Sequence, residues 1–274
     1  MGARTEAATG SGTRWGPLWG HRPADWALSE DQQLPTYEAA LTRTGLEPGW
    51  RVLDVGCGTG AFLRLVAQGG AIPHGIDASE ALVDLARARL PGADVRVGEM
   101  ERLPWPDGSF DLVTGFNAFF FADDMVAALR EAARVAKVGA PVVIQVWGPH
   151  ERCDLEAMKA IARPFFPPRP PGAPVEPDVS RPHALREVAV QAGLRPAEEF
   201  ATSWAFEYAD AETLGRAMVA VAGLARIVGP ERESVLRSAI VDGLAPFRRP
   251  DGSYRLVNEY RFLVARAGPA SERS

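Results

Sequence analysis

The residues with the clearest chemical potential stand in the run Val52-Leu53-Asp54-Val55-Gly56-Cys57-Gly58-Thr59-Gly60. A short apolar strand there feeds a glycine-rich turn, and the turn feeds a helix. Glycines in such a turn let the backbone approach a ligand closely and adopt dihedrals that other residues avoid. The N–H groups that open the helix favour an anionic group. The spacing Gly56, Gly58, Gly60 is not the Gly-x-Gly-x-x-Gly of dinucleotide sites. Asp54 stands on the strand just before the turn. A carboxylate at that point repels a pyrophosphate but accepts hydrogen bonds, directly or through water, from the ammonium of an amino-acid ligand. Asp77 ends the next strand, in Gly75-Ile76-Asp77, where a carboxylate can accept from both hydroxyls of a ribose.

A ligand with a ribose, a cationic amino-acid tail and no phosphate satisfies all three features. S-adenosylmethionine (SAM) is such a ligand. Each carboxylate also has a structural reading: Asp54 as a residue that orients the loop, Asp77 as an N-cap for the helix near Ser79, and Glu99 as a solvated loop charge. Taken together, the features favour a cofactor site. Cys57 lies inside the turn, but no histidine adjoins it to activate a thiolate, so it reads as a small residue that fits the turn. His74 falls on a strand and reads as structural, while His21, His150 and His183 fall near loops and read as surface residues. No histidine–cysteine group has metal-ligand spacing, so no metal is expected.

The elements that must position these residues alternate. Arg51 to Val55, Ala71 to Ile76, Asp94 to Val97, Phe110 to Thr114 and Pro141 to Trp147 read as strands, with helices over Leu34 to Thr44, Ala61 to Gln68, Ser79 to Leu90 and Met125 to Lys137. This predicts an α/β fold, a doubly wound, mostly parallel seven-stranded sheet with helices on both faces. Residues 163–182 are crowded with proline and read as a loop, bland or lid-like. His183 to Ala192 reads as a helix and Ala201 to Phe206 as a strand. A helix pair over 211–245 then forms an insertion before the last strand, Tyr254 to Val264, and could cap the site or make a dimer face. Pairing the last two strands places an antiparallel ribbon at one sheet edge. The domain reading is a tail and lid segment over 1–29, with Met1 to Gly12 disordered, followed by one domain over 30–274.

The chain has 274 residues and a formal net charge of −5, which weighs against a phosphate-gripping face. Two distant cysteines suggest a reducing compartment. No stretch is apolar and long enough to cross a bilayer, and Met1 to Gly12 lacks the apolar core of a secretory signal, so a cytoplasmic location is expected.

Four blocks in order carry a resemblance: 54–60, then Gly75-Ile76-Asp77-Ala78-Ser79, then Gly98-Glu99-Met100-Glu101-Arg102-Leu103-Pro104-Trp105, then Asp107-Gly108-Ser109-Phe110-Asp111. Over about Leu34 to Trp147 the chain resembles the class I SAM-dependent methyltransferases, in the small-molecule group that includes the ubiquinone and menaquinone biosynthesis enzymes. The resemblance implies that Glu99, where the family usually has Asp, accepts from the adenine amino group. It implies that the Met100 backbone meets a ring nitrogen, and that Phe116-Asn117-Ala118 closes over the methionine and ribose. The implied cofactor-binding set is Asp54, Gly56, Cys57, Gly58, Gly60, Asp77, Ala78, Glu99, Met100 and Asn117, with S-adenosylhomocysteine as product. The expected acceptor is a small molecule. Phe116, Phe119, Phe120, Phe121 and Trp147, with Trp15, Trp19 and Trp26, suggest an apolar cavity for a flat or greasy one, with at least one of Phe119 to Phe121 in the core. Same-fold enzymes that use SAM for cyclisation, and a non-catalytic SAM-binding partner protein, are the alternatives. No Asn/Asp-Pro-Pro-Tyr/Phe block follows the fourth strand, which weighs against nucleic-acid amino methylation. No catalytic residue stands out, because displacement at a sulfonium methyl needs a general base only when the acceptor must lose a proton.

Overall fold

The structure is a computed structural model that describes residues 10–166, 178–181 and 183–269. Its frame is a seven-stranded sheet in the order β3-β2-β1-β4-β5-β7-β6. Three helices precede the sheet: α1 (Ser11–Trp19), α2 (Pro23–Glu30) and α3 (Leu34–Thr44). Then come β1 (Arg51–Val55), α4 (Ala61–Gln68), β2 (Ile72–Asp77), α5 (Glu80–Arg89), β3 (Asp94–Val97), β4 (Leu112–Phe116), α6 (Met125–Val135) and β5 (Pro141–Trp147). The remaining elements are α7 (Leu155–Ala162), α8 (Ala184–Gln191), β6 (Leu194–Tyr208), α9 (Ala211–Ala220), α10 (Leu224–Val228), α11 (Pro230–Gly243) and β7 (Tyr254–Ala267).

Strands β1 to β5 are parallel, and β7 pairs antiparallel with both β5 and β6. The central strands are apolar on both faces because helices cover both. On one face Tyr37, Phe62, Val66 and Val83 pack against Val52, Val143 and Phe262. On the other, Leu129, Ala132 and Leu185 pack against Leu53, Val113 and Ile144. Helix starts are fixed locally: Ser79 Oγ accepts from Leu82 N (3.2 Å), Asp124 from Ala127 N (3.0 Å) and Asp210 from Thr213 N (2.7 Å). The chain order reverses between β1 and β4, which leaves a crevice at the carboxyl ends of these strands.

Several expectations are corrected. The second strand runs from Ile72 to Asp77 and the fourth from Leu112 to Phe116, with Phe110 only bridging to Ala136. β6 starts at Leu194, well before Ala201, because it pairs with β7 along its length, with one register shift between Pro196 and Glu198, although Arg195, Glu198 and Glu199 are exposed. The first helix of the inserted pair breaks at Val221–Gly223, where Ala222 takes φ +48°. Helices α1, α2 and α7 have no counterpart in the sequence reading. Of the expected disordered tail Met1 to Gly12, residues 1–9 lie outside the described residues. Ser11 and Gly12 are buried at the start of α1. Most of the proline-rich stretch also lies outside the described residues. Its start, Arg163–Phe165, is a 3-10 turn continuing from α7.

Candidate active site

The crevice widens into a cavity of about 710 Å³. Its floor is the glycine turn. Gly56 and Cys57 donate their N–H groups to the Ile76 carbonyl (2.8 and 3.0 Å), which ties the turn to β2. Gly56, Gly58 and Gly60 all have positive φ (75°, 53° and 83°), so the turn requires residues without a Cβ. Asp77 holds the turn from the next strand. Its Oδ2 accepts from Gly58 N (3.0 Å) and its Oδ1 from Ser79 N (2.9 Å). The structural and ligand readings of Asp77 are therefore compatible, because each carboxylate oxygen has a further lone pair for a ribose hydroxyl. Asp54 is 3% exposed and accepts from Thr114 Oγ1 (2.7 Å). Burial pushes the carboxyl of Asp54 well above the usual carboxylate range and raises that of Asp77 as well.

Of the residues expected at the cofactor, Asp54, Gly56, Cys57, Gly58, Asp77, Ala78, Glu99, Met100 and Asn117 line this one cavity. Gly60 does not. A Cβ there would stand 3.2 Å from the Ala86 Cβ, so its role is to turn the chain into α4 against α5. Cys57 contributes backbone: its thiol packs against Gly75 in the core, and burial pushes its pKa up, so it is no nucleophile. Asn117 has φ +51°, and its Nδ2 donates to Gln33 Oε1 (3.3 Å). Its Oδ1 is buried without a hydrogen-bond partner. No histidine lines the cavity among the described residues. His74 is a buried strand residue whose pKa is lowered chiefly by desolvation. His150 and His183 are exposed beside Glu156 and Glu199.

The roof comes from distant parts of the chain. α1 lies over the ends of β2 and β3. Gly12 N donates to Glu99 Oε2 (2.8 Å) and Ser11 Oγ to Glu101 Oε2 (3.1 Å). A Cβ on Gly12 would come 2.7 Å from Glu99 Oε1, so the approach needs glycine. Trp15 and Trp19 meet Phe121 edge-on (4.8 and 5.6 Å between centroids), and Trp19 meets Trp26 (4.7 Å). Trp147, Phe120, Met158, Met218 and Val221 extend this apolar wall. Phe119 is 1% exposed and belongs to the core. The roof is tied down by Arg22 to Glu233 (2.6 Å), Arg216 to Asp25 (2.6 Å), and the buried Ser29–Tyr208 hydroxyl pair (2.8 Å).

Several lining residues escaped the sequence reading, among them Glu30, Gln33 and Tyr37. Glu30 is buried, and Thr59 N and Ala61 N donate to it at the start of α4 (2.9 to 3.2 Å). Desolvation pushes its pKa up to about 7 against those hydrogen bonds. A carboxylate at the end of a short amphipathic helix gives no local signal that sets it apart from a solvated one.

The charges lining the cavity are mostly acidic. Glu30, Asp54, Asp77 and Glu99 stand on the floor side, while the lining cations Arg14 and Lys159 are each paired, with Asp123 and Glu156. Such a lining suits a ligand with net positive charge and opposes a pyrophosphate. SAM, with a sulfonium, an ammonium and one carboxylate, fits it. The glycine turn could give the backbone approach, Asp77 acceptors for a ribose and Asp54 an acceptor for an ammonium.

Residues 53–144 match the family described as Methyltransferase domain. The malonyl-acyl-carrier-protein O-methyltransferase of Serratia marcescens is 32% identical over 106 residues, covering 39% of this chain and 42% of that one. The demethylmenaquinone methyltransferase of Tropheryma whipplei is 33% identical over 141 residues, covering 51% and 56%. The chain thus spans about half the length of the curated relatives it matches. Among solved structures, the cyclase SpnF has a TM-score of 0.56 at 21% identity, covering 85% of this chain and 80% of that one. The geranyl diphosphate C-methyltransferase of Streptomyces coelicolor has 0.55 at 15% identity, covering 95% and 99%. At such identities these two likenesses show the fold. Residues 53–144 therefore match a methyltransferase domain, and over this part the chain is similar to SAM-dependent methyltransferases that act on small molecules.

Proposed function

We propose that the whole chain methylates a small, uncharged, largely apolar or aromatic acceptor with SAM as donor. The observation that carries this reading is the continuity of the cavity: the cofactor floor and the tryptophan–phenylalanine wall enclose one space. When bound, the cofactor supplies a sulfonium methyl, an electrophile open to in-line displacement. The chain's own part is to bind, orient and exclude water. Asp77 and the glycine turn fix the nucleoside end. Trp15, Trp19 and Phe121 offer faces and edges against which a flat ring can lie. α1, α2 and the 211–245 insertion together act as the lid, and the expected lid over 1–29 is extended to a roof of two segments. No cation in the lining is free to hold an anionic acceptor among the described residues, since Arg14 and Lys159 are paired.

The reading is tested in two stages. Calorimetric titration with SAM, S-adenosylhomocysteine and NADH is expected to give saturable binding for the first two and none for NADH. Aromatic phenols and amines, polyketide-like rings and anionic carboxylates are then incubated with the protein and SAM. Methylated product from the uncharged set supports the reading. Product from carboxylates alone sinks the acceptor class, and turnover without methylated product moves the chain to a same-fold enzyme with other chemistry.

A further inference from the structure

Glu30 belongs to the roof by sequence and to the floor by position. It ends α2, yet both its oxygens accept from Thr59 N (3.0 and 2.9 Å) and Oε1 also accepts from Ala61 N (3.2 Å). The helix it caps, α4, is the one that follows the glycine turn. A Cβ on Gly58 would stand 2.7 Å from Glu30 Oε2, so the middle glycine of the turn makes room for this carboxylate. A buried carboxylate normally has a cationic partner. Among the described residues Glu30 has none. Arg64 on α4 and Arg89 on α5 go to its sequence neighbour Asp31 instead. Asp54, the other carboxylate at this end of the cavity, has only the Thr114 hydroxyl. A third acceptor, Asn117 Oδ1, is buried with no partner, and the same side chain is held by Gln33, three residues beyond Glu30.

This end of the cavity therefore holds two carboxylates without a cationic partner and one buried acceptor without a donor. An ammonium is the complementary group, since it offers three donors and a positive charge and accepts nothing. We propose that Glu30 is a cofactor ligand supplied by the roof: together with Asp54 it seats the α-ammonium of SAM. Seating the ammonium and closing α2 onto the glycine turn are then one event. The cofactor cannot be gripped fully while the roof is open, and the roof gains its missing cation only when the cofactor is present. This inference rests on the SAM reading of the site.

The test compares ligands that share adenine and ribose but differ in the amino-acid tail. Wild type and Glu30→Gln are titrated calorimetrically with SAM, S-adenosylhomocysteine and 5′-methylthioadenosine, which lacks the tail. The expected result is a loss of about 10-fold or more for SAM and S-adenosylhomocysteine in the variant, with 5′-methylthioadenosine unchanged within about 2-fold. Equal losses for all three would show that Glu30 only holds the helix in place, and unchanged SAM affinity would show that it does nothing at the ammonium; either overturns the proposal. If Glu30→Gln does not fold, Glu30→Asp, which keeps the charge but withdraws it by one methylene, carries the same comparison. Wild-type protein that binds no SAM at all would defeat the cofactor reading itself, a separate outcome visible before any variant is made.

Discussion

The floor and the roof of the cavity are built by different means. The floor, from β1 to the end of β3, places ligand groups through backbone: three glycines at positive φ, N–H groups at helix starts, and carboxylates each fixed by a neighbour close in the fold. The roof places aromatic side chains and is held by contacts between residues about two hundred positions apart, such as Arg22 with Glu233 and Asp25 with Arg216. The floor is rigid because each of its polar groups is over-determined by covalent geometry and the sheet. The roof rests on two part-buried ion pairs, the buried Ser29–Tyr208 pair and edge-on aromatic contacts between separate segments. The contrast suggests that a general cofactor sits on the rigid part, and that acceptor choice and entry belong to the adaptable one.

The comparison breaks first at Asp77. Asp77→Ala removes both proposed ribose acceptors and orphans Gly58 N and Ser79 N. SAM affinity is expected to fall roughly 1000-fold, read by calorimetry. Unchanged affinity would sink the assignment of the floor.

The next largest effect is at the junction. Glu30 carries a carboxyl pushed from 4.5 up to about 7 by desolvation. The folded protein therefore holds this proton more tightly than the unfolded chain. Its contribution to stability is fully present below pH 4.5 and is lost as pH rises through 7, by up to about 3 kcal/mol. Asp54 and Asp77, raised by the same burial, act in the same direction. Thermal melts of the ligand-free protein should show the midpoint falling from pH 5 to pH 7.5, and Glu30→Gln should flatten that slope. Bound SAM should reverse it, because a cation at the floor favours the ionised carboxylates.

At the roof, Arg22→Ala combined with Arg216→Ala removes the two ties from α2 to the insertion. The cofactor should then leave several-fold faster, at a stability cost of only about 1 to 2 kcal/mol. Stopped-flow tryptophan fluorescence follows the release, with Trp15, Trp19 and Trp26 as reporters in the lining. A release rate equal to wild type would mean that the Ser29–Tyr208 pair and the aromatic contacts suffice to hold the roof. The smallest effect is expected at Cys57→Ala. The thiol packs on Gly75 away from the ligand, so SAM affinity should stay within about 2-fold while the melting midpoint drops slightly. A large loss of activity there would contradict the buried, protonated thiol.

What could be read from the chain alone was whatever is decided by neighbours in sequence. The glycine spacing of 56, 58 and 60, Asp54 on its strand, Asp77 at a strand end and Ser79 as a cap all depend on short-range geometry, and each lies where that geometry puts it. The sheet from β1 to β5 followed from apolar runs that only a parallel sheet covered on both faces can bury. Gly60 was legible as part of the turn but not as a residue that serves α5, since that needs the helix packing. The roof was not legible. α1 is short and its glycines lower its helix propensity, so it forms because Gly12 and Gly16 let it lie against Glu99 and Ala78. The first half of β6 hid behind its exposed charged residues until β7 supplied the pairing. Glu30 has the local setting of a surface charge. Only the tertiary structure, by folding α2 across the glycine turn, takes it out of water and sets it against the start of α4.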